Sequence, residues 1–407
     1  MRTNTMILEI KPIFHALCRS KVGALLLLIQ IAITTAIVSN AAFIIQDRVT
    51  YLNQETGYPE DEILAFHVMH FGKDVQSHQQ FELDETMLRA IPGVKDAVYI
   101  NNIPLSGSGS SSDFSVNSAP EPGLSARTAY FFTDDHAINT LGVELVAGRN
   151  FTQDDIVVTN DNDQRANVTI VTQALLNELF PGENGLGKTI FLGDIPLKVV
   201  GVIKHAKGPW LKDSRPNNIA LIPYINPNIS GNFLVRTASN ERADIAKQIE
   251  DAMLKNYNKR VIIRIRGLDQ DKAQYMAEDT LMMRMLVVLI TILLLVTALG
   301  IFGLTLFNIS KRTKQIGTRR ALGARKSSII NYFLVENALI CIAGLVLGVI
   351  AALILGQLLM QHFSIAALPL GYVAATAVMV FIMSLLAVFG PAKRAANISP
   401  SIATRTI

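Results

Sequence analysis

The chain has 407 residues, of which 50% are hydrophobic and 17% charged, with a mean hydropathy of +0.33. Charged residues make up about a quarter of an ordinary soluble protein, so that class is excluded, as are collagen-like, disordered and disulfide-scaffold chains. The formal net charge of +4 conceals three blocks: residues 1–46 carry +3, residues 47–283 carry −9 and residues 284–407 carry +10. A nucleic-acid binder sets its cations on a folded surface interleaved with aromatics. Here the block with room to fold is acidic, and no nucleic-acid partner is expected.

In chain order, residues 1–21 form a basic segment holding Arg2, Lys11, Arg19 and Lys21, and the first apolar run follows at 22–45. Three further runs occupy 286–309, 338–360 and 366–389, and none of the four contains Asp, Glu, Lys or Arg. A hydrocarbon core of about 30 Å is crossed by about 20 helical residues. Lipid offers the backbone no partner, so each run must be helical. Residues 22–45, 286–309, 329–360 and 366–389 are therefore predicted as transmembrane helices. Arg19 and Lys21 ahead of Ser39-Asn40-Ala41 also suit a signal peptide. The run exceeds the usual h-region of about 7–15 residues, however, and reads as a retained span.

Lys and Arg gather on the cytoplasmic side of a membrane. That rule places residues 1–21, the connecting segment 310–328 and the tail 390–407 inside, and residues 46–285 outside. Cys18 and Cys341 both lie outside the exported block, which must fold without disulfides. Within it, Glu62–Phe71, Val94–Ile100, Phe233–Thr237 and Arg260–Arg266 read as strands, with helices at Asp84–Ala90 and Asn240–Tyr257. Two β-α-β units so separated predict a split ferredoxin-like module. An insertion at about 105–230 reads as mainly β, through Val168–Val171, Thr189–Leu192 and Leu197–Ile203, with a helix near Gln173–Phe180. Ser106–Ser112 reads as a flexible Gly/Ser loop. Gln46–Leu52 and Asp269–Met285 lack Pro and Gly and read as stalks that carry the first two spans outward. The fold class expected is thus an α-helical membrane protein with four spans and a large α/β extracytoplasmic domain.

Several motifs invite a chemical reading. Gly182 to Thr189 matches GxxxxGK(S/T), but that pattern holds phosphate only between a strand and a helix. Here a helix precedes it and strand-like residues follow, so it reads as a tight turn. His67 and His70, three apart in a strand, point to opposite faces and, with His78, make no metal set. Asp134, Asp135 and His136, like Asp154 and Asp155, read as solvated turns, and no catalytic or metal residue is assigned. Gly344, Gly348, Ala352 and Gly356 recur every fourth residue along one face of the third span. Small residues let helices approach in lipid, which makes this a packing face. Glu336, the only acid after Asp279, is expected to pair with the basic connecting segment.

The cytoplasmic segments are too short to house an ATPase, so energy must come from a partner. The run from Lys311 to Ala324 (KRTKQIGTRRALGA), followed by Val335-Glu336-Asn337, resembles the signature after the second span of the MacB/FtsX family of ABC transporter permeases. The closing run from Pro391 to Pro400 is similar to that family's C-terminal motif, and Phe180–Thr189 with Val199–Val202 to a stretch of its exported domain. Gln315 departs from the family's usual Glu. The resemblance implies a permease of the bacterial inner membrane, with both termini cytoplasmic and the large domain periplasmic. It implies a non-catalytic subunit coupled to a separate ABC ATPase that uses ATP and Mg. Lys311, Arg312, Lys314, Gln315, Ile316, Gly317, Arg319, Arg320, Leu322 and Gly323 are expected to form the coupling contact. Further partners implied are a second permease, identical or related, a periplasmic adaptor, an outer-membrane channel and membrane lipid. Export of a substrate is the function expected. The alternatives are an FtsX-like regulator of a cell-wall hydrolase and a lipoprotein-release permease.

Overall fold

The computed structural model describes residues 21–71, 77–118, 121, 123–159, 164–226, 230–363 and 368–399. The chain divides into a helical unit, Met1–Asn53 with Glu278–Ile407, and an α/β unit, Gln54–Ala277. Strands of the α/β unit are, in order, β1 (Ile63–His70), β2 (Val94–Ile100), β3 (Ser110–Ser115), β4 (Ser125–Phe132), β5 (Leu145–Gly148) and β6 (Val157–Val158). They continue with β7 (Val168–Thr172), β8 (Thr189–Leu192), β9 (Ile195–Ile203), β10 (Ile219–Ile222), β11 (Tyr224–Ile225), β12 (Ser230–Thr237) and β13 (Arg260–Gly267).

Four strands form an antiparallel sheet in the order β13-β1-β12-β2. Because β1 and β2 are each antiparallel to β12 between them, they run parallel to one another, which is the split β-α-β arrangement. Strand side chains alternate between faces, so Leu64, Phe66 and Val68 share one side of β1, where they pack with Phe81, Leu88, Ile245 and Ile249 from helices Ser77–Arg89 and Arg242–Asn256. The rings of Phe66, Phe81, Tyr99 and Phe233 meet at centroid distances of 4.2–5.9 Å. The inserted subdomain is a seven-stranded sheet, β5-β9-β7-β10-β4-β3-β8, and β8 also pairs with β9, so the sheet closes on itself. Phe114, Val171, Leu176, Ile190 and Val199 fill its core.

Several expectations need correction. Ser110–Ser112 are not a flexible loop but part of β3, paired with Tyr130, Ala129 and Thr128 of β4; the fully buried Phe114 in the same strand pins that register. The helix read at Asp84–Ala90 begins at Ser77, because Phe81 and Leu88 lie on its sheet-facing side two turns apart. The stalk read over Asp269–Met285 is broken: one helix ends at Tyr275 and the next starts at Ala277, with Met276 buried in the turn. Glu278 and Asp279 occupy the first turn of the new helix, where carboxylates suit the dipole. The phosphate-loop match, by contrast, is the helix-turn-strand that was expected, with Gly182 and Gly187 at positive φ and Lys188 held by the Glu183 carboxylate and over the Phe180 ring. Of the histidines, His67 bonds Asn232 and His70 packs on Tyr257. The His78 side chain lies outside the described residues, and among those described no cluster of three metal-ligating side chains occurs.

The solvated turn expected at Asp134–His136 is also wrong. Asp134 and Glu85 are buried side by side where the inserted subdomain meets β2. Glu85 accepts the Tyr99 amide at 2.7 Å, Asp134 the His136 amide at 2.8 Å, and Asp96 takes the His136 ring and the Asn139 amide. Burial raises the Asp134 carboxyl to about 6 and the Glu85 carboxyl well above its ordinary range, the second further lifted by the Asp134 charge. Both folded-state pKa values exceed the unfolded ones near 4. The native state therefore binds protons more tightly, and stability falls as pH rises from about 4 through 6. The α/β unit should melt higher at pH 5 than at pH 7.5. Glu85→Gln, which keeps an acceptor for Tyr99, should raise the pH 7.5 value and flatten the difference in a thermal melt of the full chain; an unchanged pH slope would refute the shared-proton pair.

Among the described residues, four helices are long and apolar enough to cross a membrane: Val22–Leu52, Ala277–Lys311, Lys326–Gln361 and Leu370–Ala396. The third lies against the first through its small residues. A Cβ on Gly344 would stand 2.9 Å from Ile31 Cβ, and one on Gly348 2.7 Å from Thr35 Cβ and 3.0 Å from the Ala32 carbonyl. Ala352 is fully buried, and its carbonyl accepts Asn40 Nδ2 at 3.0 Å; Gly356 faces Asn40 and Leu368. The packing face is thus used within one chain. Polar side chains bridge the helices elsewhere, Thr34 to Thr297 at 2.8 Å, Gln30 to the Val296 carbonyl at 3.0 Å and Asn337 to Ser384 at 3.4 Å, as expected where water is absent.

Candidate functional site

The residues singled out for coupling gather at the basic end of the helical unit. Helix Ala277–Lys311 stops after Lys311, and a short helix, Thr313–Ala321, follows before Lys326 opens the next long one. Gly323 ends the short helix because it takes φ +91°, which lets the Gly323 and Ala324 amides bond the Arg320 and Arg319 carbonyls at 3.1 and 3.0 Å.

The helix has two sides. Ile316 and Gly317 face inward and are buried, with Ile316 in a core with Ile309, Ile329, Phe333, Ala392, Ala395 and Ala396. The small residues of the closing Pro391–Ala396 run therefore let the fourth long helix come close to the short one. Ile316, expected in the coupling contact, thus has its side chain in the core of this chain rather than on the outer surface. Outward stand Lys311, Lys314, Gln315, Arg319 and Leu322, and Leu322 is 84% exposed. That much exposure on a leucine is the least expected feature of this end.

Arg312 and Arg320 serve the structure as well as the charge. Arg312 Nη1 meets both Glu336 oxygens at 3.0 and 3.1 Å and the Tyr332 hydroxyl at 3.3 Å. This ion pair answers the cost of a carboxylate at the border of an apolar helix. Arg320 caps its own turn through the Ala324 carbonyl at 2.9 Å. Arg319 lies over the Tyr332 ring at 5.2 Å, Lys311 over the Phe307 ring at 4.3 Å, and Lys326 Nζ bonds Asn397 at 2.7 Å. Tyr332 was missed by sequence reasoning, since nothing about a tyrosine six residues into a long helix marks it as the partner of two arginines. What results is a cationic surface from which the Leu322 side chain projects.

Comparison with known proteins agrees with this layout. The MacB-like periplasmic core domain matches residues 22–252 and the FtsX-like permease C-terminal domain matches residues 287–400. A macrolide export ATP-binding/permease protein MacB of Yersinia pestis bv. Antiqua (strain Antiqua) is 31% identical over 272 residues, which is 64% of this chain and 38% of that protein. Another, from Aggregatibacter actinomycetemcomitans, is 29% identical over 215 residues, 51% of this chain and 32% of that one. The chain thus spans about two fifths or less of these relatives' length. The periplasmic region of MacB from Actinobacillus actinomycetemcomitans overlays with a TM-score of 0.32 at 15% identity, over 52% of this chain and 91% of that structure. The two domain matches, the first of them covering more than half of the sequence, carry the assignment: the chain belongs to the MacB/FtsX family of ABC transporter permeases.

Proposed function

We propose that this chain is the non-catalytic membrane subunit of a MacB-like exporter, in which a separate ABC ATPase, using ATP and Mg, docks on the basic end and drives movement of the periplasmic domain. The basic end then faces the cytoplasm of a bacterial inner membrane, as the lysine and arginine distribution favours. The carrying observation is Leu322, 84% exposed beside the cations of helix Thr313–Ala321. A solvated leucine held on a rigid helix end is an anchor for a pocket on a partner, ringed by charges that steer an acidic surface. The ATPases of such transporters act as pairs, so a second permease completes the assembly. The periplasmic adaptor and outer-membrane channel belong to the same proposal.

Leu322→Asp is expected to lower transport-coupled ATPase activity about tenfold or more, the effect of losing one interface anchor, while the permease still inserts. Ile316→Asp should instead lower the yield of folded protein, since it buries a carboxylate in the helical core. Basic segments also attract anionic lipid at about 1 kcal/mol per charge. Full coupling in Leu322→Asp, measured in reconstituted vesicles, would leave lipid attraction as the role of this surface.

A further inference from the structure

On the face of the four-stranded sheet away from its helices lies a cavity of about 520 Å³, within the range of small-ligand sites. His67, Asn232 and Ile263 lie on its floor, paired across β1, β12 and β13; the loop through Ile103–Ser108 and helix Leu268–Tyr275 form its walls. Two features set it apart. Leu105 and Arg264 are the non-glycine residues at positive φ among those described, at +60° and +59°, and both belong to this cavity's surround. Left-handed backbone is unfavourable for either side chain and persists where the surrounding structure enforces it. In the second case the enforcing element is a bulge, since Ala65 pairs with Arg266 but His67 with Ile263, which leaves Arg264 and Ile265 opposite Phe66. A bulge re-aims a side chain, and here it makes Arg264 part of the cavity lining. The loop is held no less closely: Gly107, at φ +77°, sits so near the Tyr275 ring that a Cβ would stand 2.1 Å from it, and its amide bonds the Pro209 carbonyl at 2.9 Å.

Two of the charged groups within are left over from the fold. Arg264 and Asp271 both line the cavity, and neither side chain forms a hydrogen bond or ion pair among the described residues. Burial raises the Asp271 carboxyl pKa, against the pull of Arg266 and Arg264. Asn232 gives its amide to the Asn101 carbonyl at 2.7 Å and so presents Oδ1 to His67 Nδ1 at 3.0 Å. The neutral imidazole then carries its proton on Nδ1, leaving Nε2 as an acceptor. Between these groups the surface is apolar, through Ile103, Ile263 and Tyr275.

We infer that this cavity binds a small zwitterion with an apolar body, a short hydrophobic peptide, whose carboxylate meets Arg264 and whose ammonium meets Asp271. The two charges feel one another but close no ion pair, which suits one ligand carrying both signs better than a simple anion or cation. Apolar side chains of the peptide fill the space between. The inference concerns the periplasmic domain alone and stands whether or not an ATPase docks on Leu322.

The test is calorimetric titration of the full chain in lipid nanodiscs with trileucine and with its N-acetylated, C-amidated form. Trileucine should bind, and the capped peptide about tenfold more weakly or worse, since each charge-assisted contact is worth about that factor. Arg264→Gly and Asp271→Asn should each weaken trileucine by a similar factor. Glycine relieves the left-handed backbone, so the melting temperature of Arg264→Gly should hold or rise, which separates a lost ligand contact from a lost fold. Failure of trileucine to bind the unaltered protein at millimolar concentration would overturn the inference. Equal binding of the capped peptide, or undiminished binding by both variants, would do the same.

Discussion

Asp84→Ala should destabilise the α/β unit by about 3–5 kcal/mol, the usual cost of leaving one member of a buried ion pair alone. Arg260 Nη1 reaches Asp84 Oδ2 at 2.7 Å with both side chains fully buried. Gln80 bonds the other oxygen at 2.9 Å, and Arg260 Nε donates to the Tyr257 carbonyl at 2.9 Å. The pair ties helix Ser77–Arg89 to the start of β13, and without the carboxylate the guanidinium keeps its charge in a site with no water to share it. For a unit of this size, 1 kcal/mol is worth about 2–4 °C, so the melting temperature should drop by about 10 °C. The double change Asp84→Leu with Arg260→Met removes both charges and should recover most of that loss. A drop of under about 2 °C for Asp84→Ala, read by thermal melts with proteolysis of the α/β unit, would mean that water reaches Arg260.

Gly348→Leu should prevent the first and third membrane helices from assembling. Even a Cβ there would meet Thr35 Cβ at 2.7 Å and the Ala32 backbone at 3.0–3.1 Å, and helix backbone moves less readily than a side-chain tip. Overpacking of one methyl group costs about 1–3 kcal/mol, so Gly348→Ala should lower the yield and melting temperature, and Leu should abolish the folded form. Gly303 on the second long helix has nothing within 4 Å of its would-be Cβ. Gly303→Leu therefore serves as the tolerated control in the same lipid. Detergent-solubilised yield of monodisperse protein measures all three. A well-folded Gly348→Leu protein would show that these helices do not meet as described.

The small-residue face is occupied within the chain, so it cannot also form an interface with a second permease. Helix Ala277–Lys311 leaves Val288, Ile292, Leu295 and Leu299 exposed, and this is the helical side that lipid or a second permease would cover.

Much of the architecture was legible in the sequence because its physics is local. Four runs without a charge force four lipid-compatible helices, and the +10 block after residue 283 marks the basic side. Strands β1, β2, β12 and β13 were found because apolar side chains alternate along or fill each of them. The periodicity of Gly344, Gly348, Ala352 and Gly356 showed a close-packed face but not its partner. Ile316 and Leu322, alike in composition, parted into a core residue and a side chain 84% exposed. That separation depends on which helices fold against the short one, through Ile329, Phe333 and Ala395. The buried groups were illegible for the same reason: Asp84 meets Arg260, and Glu85 meets Asp134, only when elements far apart in the chain are stacked. Sequence by itself determined the spans, the basic side and the β-α-β repetition, since hydrophobicity and backbone preference act on neighbours along the chain. Tertiary structure alone decided which charges are desolvated and paired and which face out, because burial is a property of the neighbours a residue acquires in space.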